Sequence, residues 1–274
     1  MLIPGIEFRY INYCCYEIVL PNGKEIVIDP CIDFKGESSF KKEDFKGADY
    51  ILLSHTHYDH TMDLGYLADR FISKVFVGAM SCPALLEYFD IKFDQVYPVT
   101  PGEVFELEDF RLEVFRSKHT FMNDANNVMS KRIAKQWAEF PEGHKRADIF
   151  GSLEYMDYLI TTKENIRIFI SGGGPNKYFY HNIEQIMKEK NPNIVFRQTS
   201  SKYTPEEFAH VVNSFHPQLV LPLHQDGIER KTNKSANEWV EDANLELKRM
   251  NSTTRILCPE KYKWYSLDMN IDLK

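Results

Sequence analysis

The chain has 274 residues, of which 43% are hydrophobic and 27% are charged, and its formal net charge is −7. This composition excludes a collagen-like or intrinsically disordered chain, and it supplies enough apolar residues for a large core without disulfides. The acidic balance argues against non-specific binding to nucleic acid, and no apolar run reaches the roughly 18 residues that a membrane-spanning helix needs.

Short runs of β-branched and aromatic residues alternate with amphipathic stretches along the whole chain. The runs predict strands at residues 7–10, 16–20, 25–29, 50–54, 74–77, 111–116, 153–161, 166–171, 194–197 and 218–223. The amphipathic stretches predict helices at residues 62–71, 82–89, 176–189, 205–215 and 236–250. Because the early strands follow one another without helices between them, we expect an α/β sandwich in a single domain spanning residues 1–274.

Two local signals predict where elements begin and end. Asn22-Gly23 lies between two apolar runs and favours a hairpin turn, since both residues accept a positive φ at low cost. Thr204 precedes Pro205 and two glutamates, which is typical of an N-cap followed by the first turn of a helix.

The cysteine content predicts reduced, mostly buried thiols. The cysteines are odd in number, are scattered and lack a Cys-x-x-Cys motif: Cys14, Cys15, Cys31, Cys82 and Cys258. The N-terminal residues have neither a basic start nor a long apolar stretch, so no secretory signal is predicted. We therefore expect a cytoplasmic protein.

The densest cluster of chemically active side chains follows the apolar run at residues 50–53. It consists of three histidines and an aspartate within six positions: His55, His57, Asp59 and His60. Alternate residues of an extended segment share a face, so the first two histidines can contact one ion. Imidazole nitrogen and carboxylate oxygen are ligands of zinc and similar divalent ions. The cluster therefore predicts a metal site at the end of a strand.

The sequence HTHYDH at residues 55–60 resembles the HxHxDH motif of the metallo-β-lactamase superfamily. The resemblance covers residues 7–227. The strand ending in Asp29 resembles the family's early strand and its aspartate, His119 resembles the third histidine of the first metal site, and His224 resembles the late histidine. The resemblance implies a four-layer αβ/βα sandwich, built of two mixed sheets flanked by helices, with metals at the edge of the sheets.

The same resemblance implies two ligand sets: His55, His57 and His119 for a first ion, and Asp59, His60 and His224 for a second. Many family members carry an aspartate that bridges the two metals, where this chain has Gly173 within Ser-Gly-Gly-Gly. A single-metal enzyme is therefore the alternative to a two-metal one. Zinc is the expected cofactor, with manganese and iron as alternatives.

Three imidazoles on the first ion leave one position for water, as catalytic zinc sites require. Water bound to such an ion has a pKa of about 7 and attacks a carbonyl or phosphoryl centre. We expect His55 and His57 to hold this centre and Asp59 to hold the nucleophile and pass a proton to the leaving group. Asp29 is expected to orient a metal ligand without contacting the metal itself. Its alternative role is that of a turn residue before Pro30.

A stretch of about thirty residues separates His119 from the strand near Leu153, which predicts an irregular insertion at about 121–150. For its backbone we favour a surface helix at residues 130–139, and a lid over the substrate is the further hypothesis. The insertion contains Trp137 and Lys145, which suit contact with a small anionic substrate, and Gly173 is a third candidate for substrate binding.

The expected function is metal-dependent hydrolysis of a small ester, lactone, amide or phosphoester. One alternative is a mononuclear iron oxidoreductase of the sulfur dioxygenase type. A nuclease of the same superfamily is another, but the chain is acidic and too short for an inserted cleavage domain. The expected partner is a small-molecule substrate, without nucleic acid or membrane, and no residue indicates a homo-oligomer.

Overall fold

A computed structural model describes residues 2–33, 36, 38–89, 91–118, 142–172, 177–199 and 203–270. The strands are β1 (Leu2–Asn12), β2 (Cys15–Val19), β3 (Glu25–Ile28), β4 (Tyr50–Leu52), β5 (Lys74–Gly78), β6 (Val96–Val99), β7 (Val104–Glu106), β8 (Phe110–Arg116), β9 (Met156–Thr162), β10 (Arg167–Ser171), β11 (Ile194–Gln198), β12 (Leu219–Leu223), β13 (Arg255–Ile256) and β14 (Trp264–Asn270). The α-helices are α1 (Tyr58–Thr61), α2 (Leu64–Phe71), α3 (Cys82–Phe89), α4 (Glu142–Phe150), α5 (Lys177–Lys190), α6 (Pro205–Asn213), α7 (Asp226–Lys231) and α8 (Ala236–Arg249).

The strands form two seven-stranded mixed sheets, in the orders β14-β1-β2-β3-β4-β5-β6 and β13-β12-β11-β10-β9-β8-β7. Strands β3 to β6 are parallel in the first sheet, and β10 to β13 are parallel in the second. Hairpins supply antiparallel pairs such as β1 with β2 and β7 with β8, whereas β8 and β9 pair antiparallel although 39 residues separate them in the chain. The expected α/β sandwich of two mixed sheets flanked by helices is confirmed.

Alternation along the strands separates three apolar layers, because successive side chains of a strand point to opposite faces. In β3, Ile26 and Ile28 join the core between the sheets, whereas Val27 joins the outer cluster that also contains Leu64 and Leu67 of α2. A third cluster packs α5, α6 and α8 against the outer face of the second sheet. The two sheets are therefore held together by a continuous apolar interior.

Both local signals agree with the structure. Gly23 has a φ of 81°, and its N–H donates to the Leu20 carbonyl at 2.8 Å in the hairpin turn. Thr204 caps α6, with its side chain accepting from the Glu207 N–H. All five cysteines are free thiols, and all except Cys258 are buried, as expected.

Some elements differ from the sequence-based expectation. The helix expected at residues 62–71 begins at Leu64 as α2, the short helix α1 before it was not expected, and residues 142–150 of the expected irregular insertion form α4. Strand β14 was missed because it is a half-exposed edge strand, although it pairs with β1 over Phe8↔Tyr265. The helix expected at residues 130–139 lies outside the described residues. Within the described ranges, no helix is long and apolar enough to cross a membrane.

Candidate metal centre

The predicted ligands that lie within the described residues come together at one edge of the sandwich, contributed by both sheets. Strand β4 leads into residues 55–60, and β12 of the second sheet leads into His224. The carboxyl ends of parallel strands are where α/β folds tend to place their sites. His55, His57 and His60 are 2–4% exposed, so their ring nitrogens face the protein interior.

The first histidine pair converges on one point. The Nε2 atom of His55 lies 2.9 Å from Nδ1 of His57. The opposite nitrogen of each ring is held by a serine, with His55 Nδ1 2.9 Å from Ser54 Oγ and His57 Nε2 2.9 Å from Ser152 Oγ. His119, the third predicted ligand of this set, lies outside the described residues.

The second set meets beside the first pair. The Nε2 atoms of His60 and His224 are 3.3 Å apart, which matches two nitrogens on one tetrahedral zinc with Zn–N distances of about 2.0–2.1 Å. The Asp59 carboxylate lies 3.9 Å from His60 Nε2 and 3.8 Å from His224 Nε2. The structure therefore brings the three predicted ligands of the second ion together.

Asp29 lies directly behind these ligands and is fully buried. Its carboxylate accepts from the Ser54 N–H at 2.7 Å and from Ser54 Oγ at 2.6 Å, and it lies 2.8 Å from His60 Nδ1. Its φ is 43°, a left-handed conformation that aspartate tolerates better than most residues. Asp29 thus orients one imidazole directly and a second through Ser54.

Several carboxylates surround the His224 imidazole. Burial by itself would lower the pKa of its imidazole, but the hydrogen bond to Asp226 and the charges of Asp226, Asp59 and Asp29 outweigh it, so the pKa is raised. The Nδ1 atom lies 3.4 Å from Asp226 Oδ1, and the backbone N–H donates to the Tyr13 carbonyl at 2.8 Å. Surroundings that favour an imidazolium also favour a divalent cation.

The donor set fits a divalent cation such as zinc on this geometry. In each of the four imidazoles one ring nitrogen is paired with a protein group, while the other faces a neighbouring ligand nitrogen. Histidines that bind metals almost always use their second nitrogen in this way, since the outer hydrogen bond fixes the tautomer and the ring orientation.

Helix α4 is attached directly to the motif. Thr56 Oγ1 donates to the Ala147 carbonyl at 2.6 Å, and the Tyr58 N–H donates to Asp148 Oδ1 at 2.9 Å. At the end of this helix, Gly151 approaches so closely that a Cβ would lie 2.6 Å from the His57 backbone nitrogen. The position of His57 therefore depends on a residue without a side chain.

Several neighbours of the site were missed by the sequence analysis. Tyr155 stacks on the His55 ring at 3.8 Å, and Ser152 holds His57. The Sγ atom of Cys14 lies within 4.8 Å of ligand nitrogens of His60 and His224. No sequence pattern links these residues to the motif, because separate loops of the fold bring them there.

The expected substrate-binding residues are only partly described. Trp137 and Gly173 lie outside the described residues, and Lys145 is half-buried on α4. Its neighbour His144 is buried and packs between the rings of Tyr58, Tyr88 and Phe89.

Comparison with known proteins agrees with this architecture. Residues 24–140 match the sequence model of the beta-lactamase superfamily domain. A UPF0173 metal-dependent hydrolase of Koribacter versatilis is 19% identical over 227 residues, which cover 82% of this chain and 86% of that protein.

Two solved structures of similar fold match nearly the whole chain. Igni18, a metallo hydrolase from Ignicoccus hospitalis, superposes with a TM-score of 0.69 and 14% identity, covering 97% of this chain and 99% of that one. An isothiocyanate hydrolase from Delia radicum gut bacteria superposes with a TM-score of 0.62 and 16% identity, covering 95% of this chain and 98% of that one.

Proposed function

The chain belongs to the metallo-β-lactamase superfamily and is a metal-dependent hydrolase, and from that premise we propose that it cleaves a small ester, lactone, amide or phosphoester. The proposed cofactor is zinc, bound as one or two ions, with manganese and iron as the alternatives. His55, His57 and His119 would hold the first ion, and Asp59, His60 and His224 the second.

The observation that carries this proposal is the pairing of both nitrogens in each imidazole. Ser54, Ser152, Asp29 and Asp226 fix the outer nitrogens, so that the inner nitrogens are directed at one another. Four preoriented nitrogens, three of them on buried imidazoles, supply the neutral ligands that a catalytic zinc site requires. A bound divalent cation would lower the pKa of water to about 7 and stabilise negative charge on a carbonyl or phosphoryl oxygen.

The residues of this chain have separate tasks in such a reaction. His55, His57 and His60 are buried, whereas the Asp59 side chain is 31% exposed and the His224 side chain 16% exposed. Substrate and water therefore reach the centre from the side of Asp59. Its carboxylate accepts a hydrogen bond from the attacking water, takes the proton and passes it to the leaving group.

Asp29 acts as a positioning residue in this proposal. Its carboxylate is within hydrogen-bonding distance of Ser54 Oγ and His60 Nδ1, so one buried charge fixes ligands of both ions. Such outer partners raise the basicity of the ligating nitrogens and fix their tautomers.

Substrate contacts are assigned by the same proposal to Trp137, Lys145 and Gly173. Lys145 is on α4, the helix that contacts the motif through Asp148, so its ammonium group can neutralise an anionic substrate. Lys145→Ala and Trp137→Ala should raise KM for an anionic substrate more than for a neutral one. Unchanged kinetics in both variants would remove these residues from the proposal.

The test begins with the metal content of protein purified without added metal, followed by reloading with zinc. A panel of nitrophenyl phosphodiesters, lactones and nitrocefin then measures hydrolysis by the wild type, His57→Gln and His60→Gln. His210→Gln is the control, since the His210 side chain is 63% exposed and contacts Glu246 of α8.

We expect two zinc equivalents in the wild type and one in each ligand variant, with hydrolysis of one substrate class lost in both variants and kept in the control. Hydrolysis that survives His57→Gln would contradict the proposal. Bound iron, together with oxygen consumption on a thiol substrate, would replace it with the sulfur dioxygenase alternative.

A further inference from the structure

Cys14 lies at the tip of the hairpin between β1 and β2. Asn12 pairs with Cys15 across the two strands, so Tyr13 and Cys14 form the loop between them. Tyr13 has a φ of 48°, a left-handed conformation that is uncommon for a residue with a large side chain. The His224 N–H donates to the Tyr13 carbonyl at 2.8 Å, so the hairpin tip is fixed to the metal centre.

The side chain of Cys14 is directed at the second ligand set. Its Sγ atom and one nitrogen each of His60 and His224 all lie within 4.8 Å of one another. Cys14 is 0% exposed, and the two imidazoles already have protein partners for their outer nitrogens. An ion between the two inner nitrogens would therefore have the sulfur atom as a neighbour.

A thiolate at Cys14 requires a bound cation, because burial and the charges of Asp29, Asp59 and Asp226 raise the pKa of its thiol. Asp59 is the only anion among the predicted ligands of the second ion, and the sequence has Gly173 where many relatives carry a bridging aspartate. Cysteine thiolate is a preferred ligand of zinc and adds the negative charge that the aspartate supplies elsewhere. Its proton is released to solvent as the metal–sulfur bond forms.

A buried cysteine is more often a small core residue, and Cys14 does contact the apolar cluster between the sheets. Its chain neighbour Cys15 illustrates that role, since it is equally buried but belongs to the outer cluster packed around α2. What distinguishes Cys14 is the pair of ligand nitrogens beside its sulfur. The adjacent cysteine is thus a matched internal control.

We propose that Cys14, as a thiolate, is a ligand of the second ion together with Asp59, His60 and His224. This rests on the proposed function, because it requires an ion at that position. Four protein ligands would complete the coordination of the second ion, so the open position for water belongs to the first. Cys14 would thereby give the second ion an anionic ligand in addition to Asp59.

Cobalt substitution tests the assignment without measuring turnover. The metal-free protein is titrated with Co²⁺, and the spectrum is recorded for the wild type, Cys14→Ser, Cys14→Ala and Cys15→Ser. A thiolate ligand gives a near-ultraviolet sulfur-to-cobalt charge-transfer band, whereas histidine and carboxylate ligands give only the weaker visible bands. The metal content of each protein after dialysis is measured in parallel.

We expect the charge-transfer band in the wild type and in Cys15→Ser, and its loss in both Cys14 variants. The second metal equivalent should bind at least about 10-fold more weakly in those variants, since even outer partners of metal ligands contribute 10–100-fold. Visible bands without a charge-transfer band in the wild type, or a band that persists in Cys14→Ser, would overturn the assignment and leave the histidine site intact. Failure to bind cobalt at all would overturn the proposed metal centre itself.

Discussion

Asp29 and His60 are 31 residues apart in the chain, and in the structure Asp29 Oδ2 lies 2.8 Å from His60 Nδ1. The same carboxylate accepts two hydrogen bonds from Ser54, so its bonding capacity is largely used by three protein groups. A buried carboxylate that is paired in this way fixes geometry, because any displacement leaves charge or a donor unsatisfied.

Replacing the Asp29 carboxylate should weaken the binding of the second ion. Asparagine tolerates the left-handed backbone at residue 29, but its NH₂ group cannot accept a hydrogen bond. We expect Asp29→Asn to lower the affinity for the second metal equivalent by about 10–100-fold, measured by competition with a chromophoric chelator. Asp49→Asn is the control, since Asp49 accepts from Glu25 N at the opposite end of the same strands. Equal affinities in the two variants would refute the role of Asp29.

The close approach of Gly151 to His57 predicts a second effect. A Cβ at residue 151 would lie 2.6 Å from the His57 nitrogen and 2.7 Å from the Thr56 carbonyl carbon, and these backbone atoms cannot move independently. Gly151→Ala should therefore displace His57 and reduce both zinc content and hydrolysis. In Gly65→Ala, the control, the new methyl group would first meet a Phe89 side-chain atom at 3.2 Å. Normal zinc content in Gly151→Ala would contradict the argument.

His144 should make the protein less stable in acid. Burial lowers the pKa of its imidazole from 6.5 to about 4. Between these values the unfolded chain takes up a proton that the folded protein does not, so the free energy of unfolding falls as the pH drops from 6.5 to 4. The total effect is about 3 kcal/mol, from 1.36 kcal/mol per pKa unit.

His144→Phe tests this contribution, because the ring is enclosed by aromatic residues and its Nδ1 has no partner among the described residues. Urea unfolding at pH 7 and pH 4 should show a smaller acid destabilisation in His144→Phe than in the wild type. The exposed His210 provides the comparison, through His210→Gln. Identical pH dependence in the wild type and His144→Phe would contradict the buried, neutral state of His144.

Removing the metal should destabilise the whole sandwich, since the ligands come from both sheets. An ion present at 1,000 times its dissociation constant stabilises the folded state by about 4 kcal/mol. We therefore expect chelation to lower the thermal unfolding midpoint of the wild type and to have little effect on a His57→Gln, His60→Gln double variant. A midpoint that does not respond to chelation in the wild type would contradict a shared centre.

Most of the fold could be predicted from local patterns in the sequence. Buried strands such as β4 and β12 are short apolar runs, and the cap of α6 follows from Thr204 and Pro205. Strand β14 could not be predicted in the same way, because its residues are half-exposed and its partner β1 is at the other end of the chain. Pairing over such a distance leaves no local pattern.

The same distinction between local sequence patterns and long-range contacts applies to the candidate site. The histidines and aspartate of residues 55–60 are dense enough in the sequence to indicate a metal, and Asp29 and His224 follow strands as the family resemblance implies. Ser152, Gly151 and Cys14 could not be identified, because their importance arises only from contacts made by the folded chain. The sequence allows two roles for Asp29, and its hydrogen bonds to Ser54 and His60 favour the orienting one.

The separation of His60 and His224 by 164 residues also bears on the order of events during folding. Contacts between distant residues form late, since the entropy of closing the intervening loop must be overcome first. A chain still emerging from the ribosome has residues 55–60 available long before His224. Tight capture of the second ion should therefore mark the completion of folding rather than nucleate it.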